Sequence, residues 1–263
     1  MSTICVLTYA DYTDLACRCL DSIYSLIKSC AENGHSYLTS VKIGCNQPSE
    51  KLVKLCTKFS IDIQDKCPSI SSSVSIYPDN RYKWPVLRSW MGLPTSFTRS
   101  VDPISSNFVM WFDDDSYLKT PTASWLRDVY GKMRDCDVMG SVYRSEVGDR
   151  LDWMRNQSWW KGKELNINAK GNYIIEFATG GWWVARTSVL RELNFPPEEL
   201  RHNGGDSLLG AMMYQSGLKL KHDRCDVAIN ADEAGNESRS IRRGYSENPI
   251  GSLGYFDAHE TNV

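Results

Sequence analysis

The sequence has no long apolar run, no large excess of either charge and no Cys-x-x-Cys pair. No apolar stretch reaches the about 18 residues that a membrane-spanning helix requires, so no transmembrane segment is predicted. The net charge of −2 over 263 residues argues against a surface dominated by contacts with a polyanion such as nucleic acid. The first residues lack the basic segment of a secretion signal, and we therefore expect a cytoplasmic protein.

The nine cysteines are an odd number, and no two of them form a Cys-x-x-Cys pair. Such scattered cysteines are typical of free thiols in a reducing compartment. Several lie in apolar rows, where cysteine behaves as a small hydrophobic residue. We therefore predict neither a disulfide framework nor a cysteine zinc site.

The most informative segment is an apolar run that ends in three consecutive carboxylates. Residues Phe108 to Phe112 are typical of a buried central strand, because aromatic and β-branched side chains fill both of its faces. Asp113, Asp114 and Asp115 follow at the C-terminal edge, where α/β sheets bind ligands. Adjacent carboxylates repel one another, so a compensating cation is expected there. Mg²⁺ or Mn²⁺ fits such oxygen ligands and can also hold a diphosphate. The alternative is a solvated acidic turn that caps the next helix.

Strands and helices alternate in the first half of the chain. We expect strands at 3–8 and 41–45, a weak third strand at 61–64 and a loop over 66–79, with Ser49 capping the second helix. This βαβα order predicts a parallel, doubly wound sheet.

The second half is richer in tryptophan and glycine. Residues 173–186 are predicted to form a strand, a turn at Gly180-Gly181 and a second strand. A helix is expected to open at the Gly-Gly-Asp sequence that ends at Asp206, and residues 231–251 are predicted to form a mobile loop. Without internal repeats or a clear linker, we expect one domain over 1–263.

Three of these motifs occur in an order that resembles the glycosyltransferases of the GT-A fold, which use nucleoside-diphosphate sugars. Residues 111–115 look like the Asp-x-Asp motif of that family, in a form similar to fringe-like enzymes. Residues 180–186 resemble its glycine-rich acceptor segment, and Asp206 lies where the family places an acidic residue at a helix start, often the catalytic base. Thr8-Tyr9 and the helix after them resemble its first βα unit, which binds the nucleotide.

The resemblance implies an α/β fold: a GT-A type Rossmann-like sandwich with a mostly parallel central sheet flanked by helices. It implies a nucleotide-sugar-binding half at about 1–118 and an acceptor-binding half at about 119–263. The implied activity is metal-dependent transfer of a sugar from a nucleoside-diphosphate sugar to an acceptor hydroxyl, with Mn²⁺ or Mg²⁺ as cofactor. The expected donor-binding residues are Thr8, Tyr9, Asp11, Asn46, Arg81, Lys83, Asp113, Asp114, Arg242 and Arg243.

The metal is expected to bind Asp113 and Asp115, because alternate residues of an extended strand end point the same way. The family usually adds a third ligand, often a histidine near the C-terminus; His259 is our choice, with His222 as the alternative. A base at Asp206 implies inversion at the sugar carbon, whereas retention would need a different arrangement.

The acceptor-binding residues are expected to be Gly181, Trp182 and Trp183, because indole rings offer flat apolar faces to a sugar. Trp153, Trp159 and Trp160 could extend that platform. Arg242 and Arg243 could close over the diphosphate and exclude water.

Two other functions are consistent with parts of the sequence. A sugar-nucleotide nucleotidyltransferase also combines a parallel sheet with metal-binding aspartates, but it usually has a glycine-rich, basic loop after its first strand, and residues 8–14 are acidic and glycine-free. A non-catalytic carbohydrate-binding protein would use the tryptophans and would not need aspartates on a buried strand. The acceptor is predicted to be a glycan or glycolipid, with a modified DNA base as the alternative.

Overall fold

The computed structural model describes residues 1–78, 82–96, 100, 102–147, 151–201 and 204–229. The first half contains β1 (Ser2–Tyr9), α1 (Thr13–Glu32), β2 (Leu38–Asn46), α2 (Glu50–Lys66), β3 (Ser71–Tyr77), α3 (Lys83–Trp90) and β4 (Phe108–Asp113). The second half contains β5 (Tyr117–Leu118), α4 (Ala123–Lys132), β6 (Val138–Glu146), α5 (Leu151–Arg155), β7 (Asn166–Ile167), β8 (Tyr173–Arg186), α6 (Thr187–Glu192), α7 (Gly205–Ser216), β9 (Leu220–His222) and β10 (Val227–Ala228).

The main sheet has the strand order β3-β2-β1-β4-β8-β6-β9, with β7 added beside β8. The four strands β3, β2, β1 and β4 are parallel, and β9 is parallel to β6. Strand β8 is antiparallel to both of its main-sheet neighbours, β4 and β6. The predicted α/β class, a mostly parallel sheet flanked by helices, is confirmed.

Each face of the sheet is covered by one apolar layer, because successive strand residues point to opposite faces. Phe112 on β4 and Trp182 on β8 belong to the layer that packs against α1, α2 and α4. Trp111 and Trp183 belong to the layer that packs against α3 and α7. Strand β4 is therefore buried on both faces, as its apolar sequence predicts.

Two helix boundaries follow local signals in the sequence. The Ser49 hydroxyl accepts a hydrogen bond from the Leu52 N–H at 3.2 Å and caps α2. Gly217 ends α7 with φ of 70°, a conformation that favours glycine.

The third strand expected at 61–64 is wrong. Those residues belong to α2, where Ile63 continues the buried stripe of Cys56 and Phe59. The third strand is β3, at 71–77, inside the segment that we expected to be a loop. Because β3 lies at the edge of the sheet, it tolerates a serine-rich sequence that the interior would not.

The turn expected at Gly180-Gly181 is also wrong, because β8 runs without interruption for 14 residues. Gly180 and Gly181 lie between two residues of β8 that pair with β6, Ala178 opposite Val142 and Trp183 opposite Gly140. Two steps along β6, from Gly140 to Val142, therefore correspond to five steps along β8, and the glycines lie in a bulge of β8 rather than in a turn.

All nine cysteines are free thiols, as predicted, and all but Cys17 are buried. No helix among the described residues is both long and apolar enough to cross a membrane. The predicted mobile loop at 231–251 lies outside the described residues.

Candidate functional site

The three consecutive carboxylates form a buried turn at the C-terminal end of β4. Strand β4 ends at Asp113, and the Ser116 N–H donates to the Asp113 carbonyl at 3.0 Å to close the turn. Asp113, Asp114 and Asp115 are only 6%, 0% and 3% exposed. The turn corrects one argument from the sequence: the strand does not continue past Asp113, so strand alternation cannot place Asp113 and Asp115 on one side.

Asp113 is held by two side chains of the layer that contains α3. Its Oδ2 accepts a hydrogen bond from Lys83 Nζ at 3.1 Å, and both side chains of this ion pair are buried. Its Oδ1 accepts a hydrogen bond from the Trp111 indole N–H at 2.9 Å. Each oxygen of this carboxylate therefore has a defined donor, and the group has one orientation.

Asp114 points to the first strand instead. Its Oδ2 accepts a hydrogen bond from the Tyr9 N–H at 3.3 Å, and its own N–H donates to the Leu7 carbonyl at 3.1 Å. Asp114 thus ties the end of β1 to the acidic turn. The charge of the turn is felt on α1, because burial raises the pKa of the Cys19 thiol well above its usual value and the negative charges of Asp114 and Asp113 raise it further.

Three stacked indole rings pack next to the acidic turn, and the middle one, Trp111, is hydrogen-bonded to Asp113. The Trp111 ring lies 6.2 Å from that of Trp84 and 5.8 Å from that of Trp183, with interplanar angles of 17° and 7°. Trp182, on the opposite face of the sheet, packs against Phe112. Trp182 and Trp183 are 0% and 1% exposed, so neither ring presents a face to a sugar, and an acceptor platform made of these two rings is at odds with their burial.

Helix α7 begins next to this stack. A Cβ on Gly205 would lie 2.2 Å from Trp84 Cε2, so only glycine allows this close approach. Trp84 follows Lys83 in α3, and Lys83 contacts Asp113. The ends of β4, α3 and α7 therefore meet, and Asp206, in the first turn of α7, lies at this junction half-buried.

Asn46 marks the neighbouring part of the same sheet edge. It ends β2 directly beside Tyr9, the last residue of β1. Its side chain is fully buried, and within the described part of the chain neither its Oδ1 nor its Nδ2 has a hydrogen-bond partner. A buried amide without partners costs about 1–3 kcal/mol, which points to a ligand or water that completes the site.

The remaining donor-site candidates are placed as follows. Thr8 is buried, and its hydroxyl donates to the Gly44 carbonyl at 3.2 Å. Asp11 is exposed in the turn after β1. Arg81, Arg242 and Arg243 lie outside the described residues.

Of the two histidines predicted as metal ligands, only His222 lies among the described residues. His222 is on β9, three strands from Trp111 in the same row of the sheet, which is roughly 14 Å at the usual strand spacing. Its Nδ1 accepts a hydrogen bond from the Val142 N–H at 2.9 Å. The structure therefore does not bring His222 to the acidic turn, and His259 lies outside the described residues.

The acidic turn has the oxygen donors that Mg²⁺ and Mn²⁺ prefer. Among the described residues, no three histidine, cysteine, aspartate or glutamate side chains are grouped closely enough to hold a metal ion by themselves. Mg²⁺ in particular is usually bound by one or two carboxylates together with substrate phosphates. The carboxylates of Asp113 and Asp115 are of the type that such a metal binds.

The sequence pattern missed the role of Trp111. The apolar pattern predicts only a core position for Trp111, yet the indole N–H donates a hydrogen bond to Asp113 and fixes the orientation of its carboxylate. The sequence does contain a signal for this contact. Residues two apart on a strand lie on the same face, and Trp111 is two residues before Asp113.

Comparison with solved structures gives a fold-level match. A mannosyltransferase from Pyrobaculum calidifontis, PcManGT, solved with GDP-Man and Mn²⁺, superposes with a TM-score of 0.53 at 14% identity, over 85% of this chain and 54% of that one. The two chains share an α/β fold with a central sheet flanked by helices. At this identity the match shows the fold alone, and the present chain spans about half the length of that enzyme.

A second solved structure is less similar. A putative glucose-1-phosphate thymidylyltransferase from Bacillus anthracis, solved with sucrose, has a TM-score of 0.46 at 9% identity, over 91% of this chain and 93% of that one. No family model and no curated protein matches the sequence.

Proposed function

We propose that this protein is a metal-dependent glycosyltransferase that moves a sugar from a nucleoside-diphosphate sugar to an acceptor hydroxyl. The observation that carries the proposal is the junction at the C-terminal end of β4. There a buried acidic turn, a buried lysine and the first turn of α7 meet. Such a junction brings together carboxylates that can bind a cation, an ammonium group that can bind a phosphate, and a carboxylate that can accept a proton.

The donor nucleotide is proposed to lie along the ends of β1 and β2. Asn46 supports this assignment, since its buried amide offers one donor and one acceptor edge that the described residues leave unused. Thr8, Tyr9 and Asp11 line the end of β1. Lys83 is assigned to the diphosphate, and Arg81, Arg242 and Arg243 remain proposed phosphate contacts.

The metal, Mn²⁺ or Mg²⁺, is proposed to bind Asp113 and Asp115, with His259 as a further proposed ligand. When bound, such an ion neutralises the charge that develops on the leaving diphosphate. Trp111 contributes by keeping the Asp113 carboxylate in one orientation through the indole N–H. Asp114 contributes by holding β1 against the turn through the Tyr9 N–H.

Asp206 is proposed as the general base. It takes the proton of the acceptor hydroxyl while that oxygen forms its bond to the sugar carbon. The bond between the sugar carbon and the phosphate oxygen breaks, and its electron pair leaves with the nucleoside diphosphate. Direct attack of this kind inverts the configuration at the sugar carbon.

The acceptor is proposed to bind in a cavity beside α7, with Gly181 as a further proposed contact. The cavity has a volume of about 490 Å³, and its walls include Trp153, Trp159, Glu198 and Glu199. The two indoles are half-buried, so they take the role first given to Trp182 and Trp183. Indole faces beside carboxylates suit a glycan or glycolipid, whereas the carboxylates would repel the phosphates of the alternative DNA acceptor.

Isothermal titration with UDP and GDP, each with and without Mn²⁺, tests the proposed function. We expect one nucleotide to bind only when Mn²⁺ is present, and Asp115→Ala to weaken that binding at least about tenfold through loss of a metal ligand. Asp152→Asn is the matched control, because the Asp152 side chain is 90% exposed on α5. Absence of nucleotide binding under every condition would refute the proposal and favour a non-catalytic carbohydrate-binding protein.

A further inference from the structure

Strand β3 forms one edge of the main sheet. Its seven residues pair in continuous register with β2, and among the described residues no strand pairs with its other side. Natural edge strands usually carry lysine, proline or a bulge, which keeps them from pairing with another chain. Residues 71–77 contain none of these, since they are four serines, a valine, an isoleucine and a tyrosine. This edge therefore lacks the usual protection against a further strand.

The side of α2 next to this edge is also without charge. Gln64 of α2 donates to the Ser72 carbonyl at 3.0 Å, which marks the side of the helix that lies beside β3. Helical spacing places Val53, Thr57 and Ile61 on the same side. From residue 53 to residue 64, this side of α2 carries no charged residue. We call this helix side together with strand β3 the neutral edge.

Two exposed isoleucines belong to the neutral edge. Ile61 is 51% exposed and Ile76 is 58% exposed, and they are two of the four large apolar side chains that are exposed among the described residues. Ile76 shares a face of β3 with Val74, because the two are two residues apart. Val74 packs against the layer that contains α2, so both isoleucines lie on the α2 side of the sheet.

We propose that the neutral edge is the surface through which two copies of this chain associate, with β3 antiparallel to β3 of the second copy about a two-fold axis. Pairing of all seven residues sets Ser71 opposite Tyr77 and Val74 opposite the same residue of the second copy. The two sheets become one, and the outer N–H and C=O groups of β3 gain partners. An uncharged strand suits this arrangement, because a two-fold interface brings the same surface of both copies together.

The charges that border the neutral edge are complementary about the same axis. Helix α2 runs antiparallel to β3, because it connects the parallel strands β2 and β3. Val74 lies about 6.6 Å beyond Ser72 along the strand. At 1.5 Å per helical residue, the axis passes α2 about four residues before Gln64, near residue 60. Lys54 and Asp65 are about three helical turns apart, on one side of α2 and on opposite sides of that level. Lys54 of each copy therefore lies across from Asp65 of the other.

Sedimentation equilibrium of the full chain over a wide range of concentrations tests the proposal. We expect a dimer, with twice the chain mass of 29.9 kDa. Ile76→Lys adds the charge that blocks pairing at natural edge strands and should raise the dimer dissociation constant at least about tenfold. Ile167→Lys is the matched control, because Ile167 is 59% exposed on β7, another strand that pairs on one side. It should leave the dissociation constant unchanged.

A charge exchange tests the two-fold geometry. Lys54→Asp alone sets carboxylates against each other across the axis, and Asp65→Lys alone sets ammonium groups against each other. Each single variant should weaken the dimer about three- to tenfold, and the double variant should restore it. Lys54 also pairs with Glu50 of its own helix at 2.6 Å. That ion pair is lost in Lys54→Asp and in the double variant alike, so the restoration reports on the contact between copies.

Three results would overturn the proposal. A monomer at every concentration would mean that another segment of the chain or another protein covers β3. A larger assembly would exclude a two-fold contact, which closes at two copies. A dimer that Ile76→Lys leaves intact, or that Ile167→Lys weakens equally, would place the contact elsewhere. The proposed function does not depend on the outcome, because the nucleotide titration tests it separately.

Discussion

Replacing Gly205 by alanine tests how the first turn of α7 is held at the candidate site. The new Cβ would lie 2.2 Å from Trp84 Cε2, whereas carbon atoms pack at about 3.5–4.0 Å. The indole cannot turn away easily, because it is fully buried between Trp111 and Phe195. The start of α7 must therefore move by about 1 Å, and Asp206 moves with it.

The expected change in stability is the difference between two effects. Alanine favours a helix over glycine by at most about 1 kcal/mol, and overpacking of a rigid core costs about 1–3 kcal/mol. We expect a net loss of about 1–2 kcal/mol in the free energy of unfolding. Gly131→Ala in α4 is the control, because nothing lies within 4 Å of its Cβ position; it should be neutral or stabilise by up to about 1 kcal/mol.

Urea unfolding of the three proteins measures the effect. A loss of about 1.5 kcal/mol lowers the midpoint by about 0.5 M if the urea dependence is about 3 kcal/mol per M. Sugar transfer by Gly205→Ala should fall more than donor affinity, because the displaced helix carries the proposed base. If Gly205→Ala stabilises the protein as Gly131→Ala does, the described contact between α7 and Trp84 is wrong.

Three further predictions concern single side chains. Trp111→Phe removes the hydrogen bond to Asp113 and part of the indole stack; unfolding in urea should show a loss of about 2–3 kcal/mol, and a loss below 0.5 would contradict the packing. Burial alone would raise the pKa of Asp223, but hydrogen bonds led by that from Lys132 outweigh it and lower the pKa, so this carboxylate stabilises the fold above its ordinary pKa and the effect is lost as pH falls through the lowered value. Asp223→Asn should therefore cost up to about 1 kcal/mol at pH 7 and progressively less as pH falls below the ordinary pKa of aspartate; a cost that does not change with pH in urea unfolding would refute this. Cys17, the one cysteine that is not buried, should be the first thiol to react with a thiol reagent in the native protein, and Cys17→Ser should remove that reaction.

Several features could be predicted from the sequence because they depend on residues close together in the chain. The buried stripe of α1, with Cys19, Ile23 and Ile27 on one side, follows from helical periodicity. The hydroxyl of Ser49 and the positive φ of Gly217 mark helix ends through contacts within one turn. The apolar run of residues 108–112 predicts the buried strand β4 for the same local reason.

Other features depend on which strands become neighbours, and only the tertiary structure decided them. The serines of 71–77 form a strand because β2 lies beside them at the edge of the sheet. Strand β8 passes Gly180-Gly181 as a bulge and not as a turn because β6 pairs with it before and after the glycines. Local propensity predicts a loop and a turn at these places, but pairing with distant strands outweighs it.

The candidate site shows the same division. The sequence alone marks Asp113 as the carboxylate that follows an apolar strand. The two side chains that hold it, however, differ in their distance from it along the chain. Trp111 is two residues distant, whereas Lys83 is thirty residues earlier on a different element. The sheet order decided that Lys83 reaches Asp113 and that Trp182 and Trp183 are buried, because contacts between distant residues follow from the packing of whole elements and no short pattern records them.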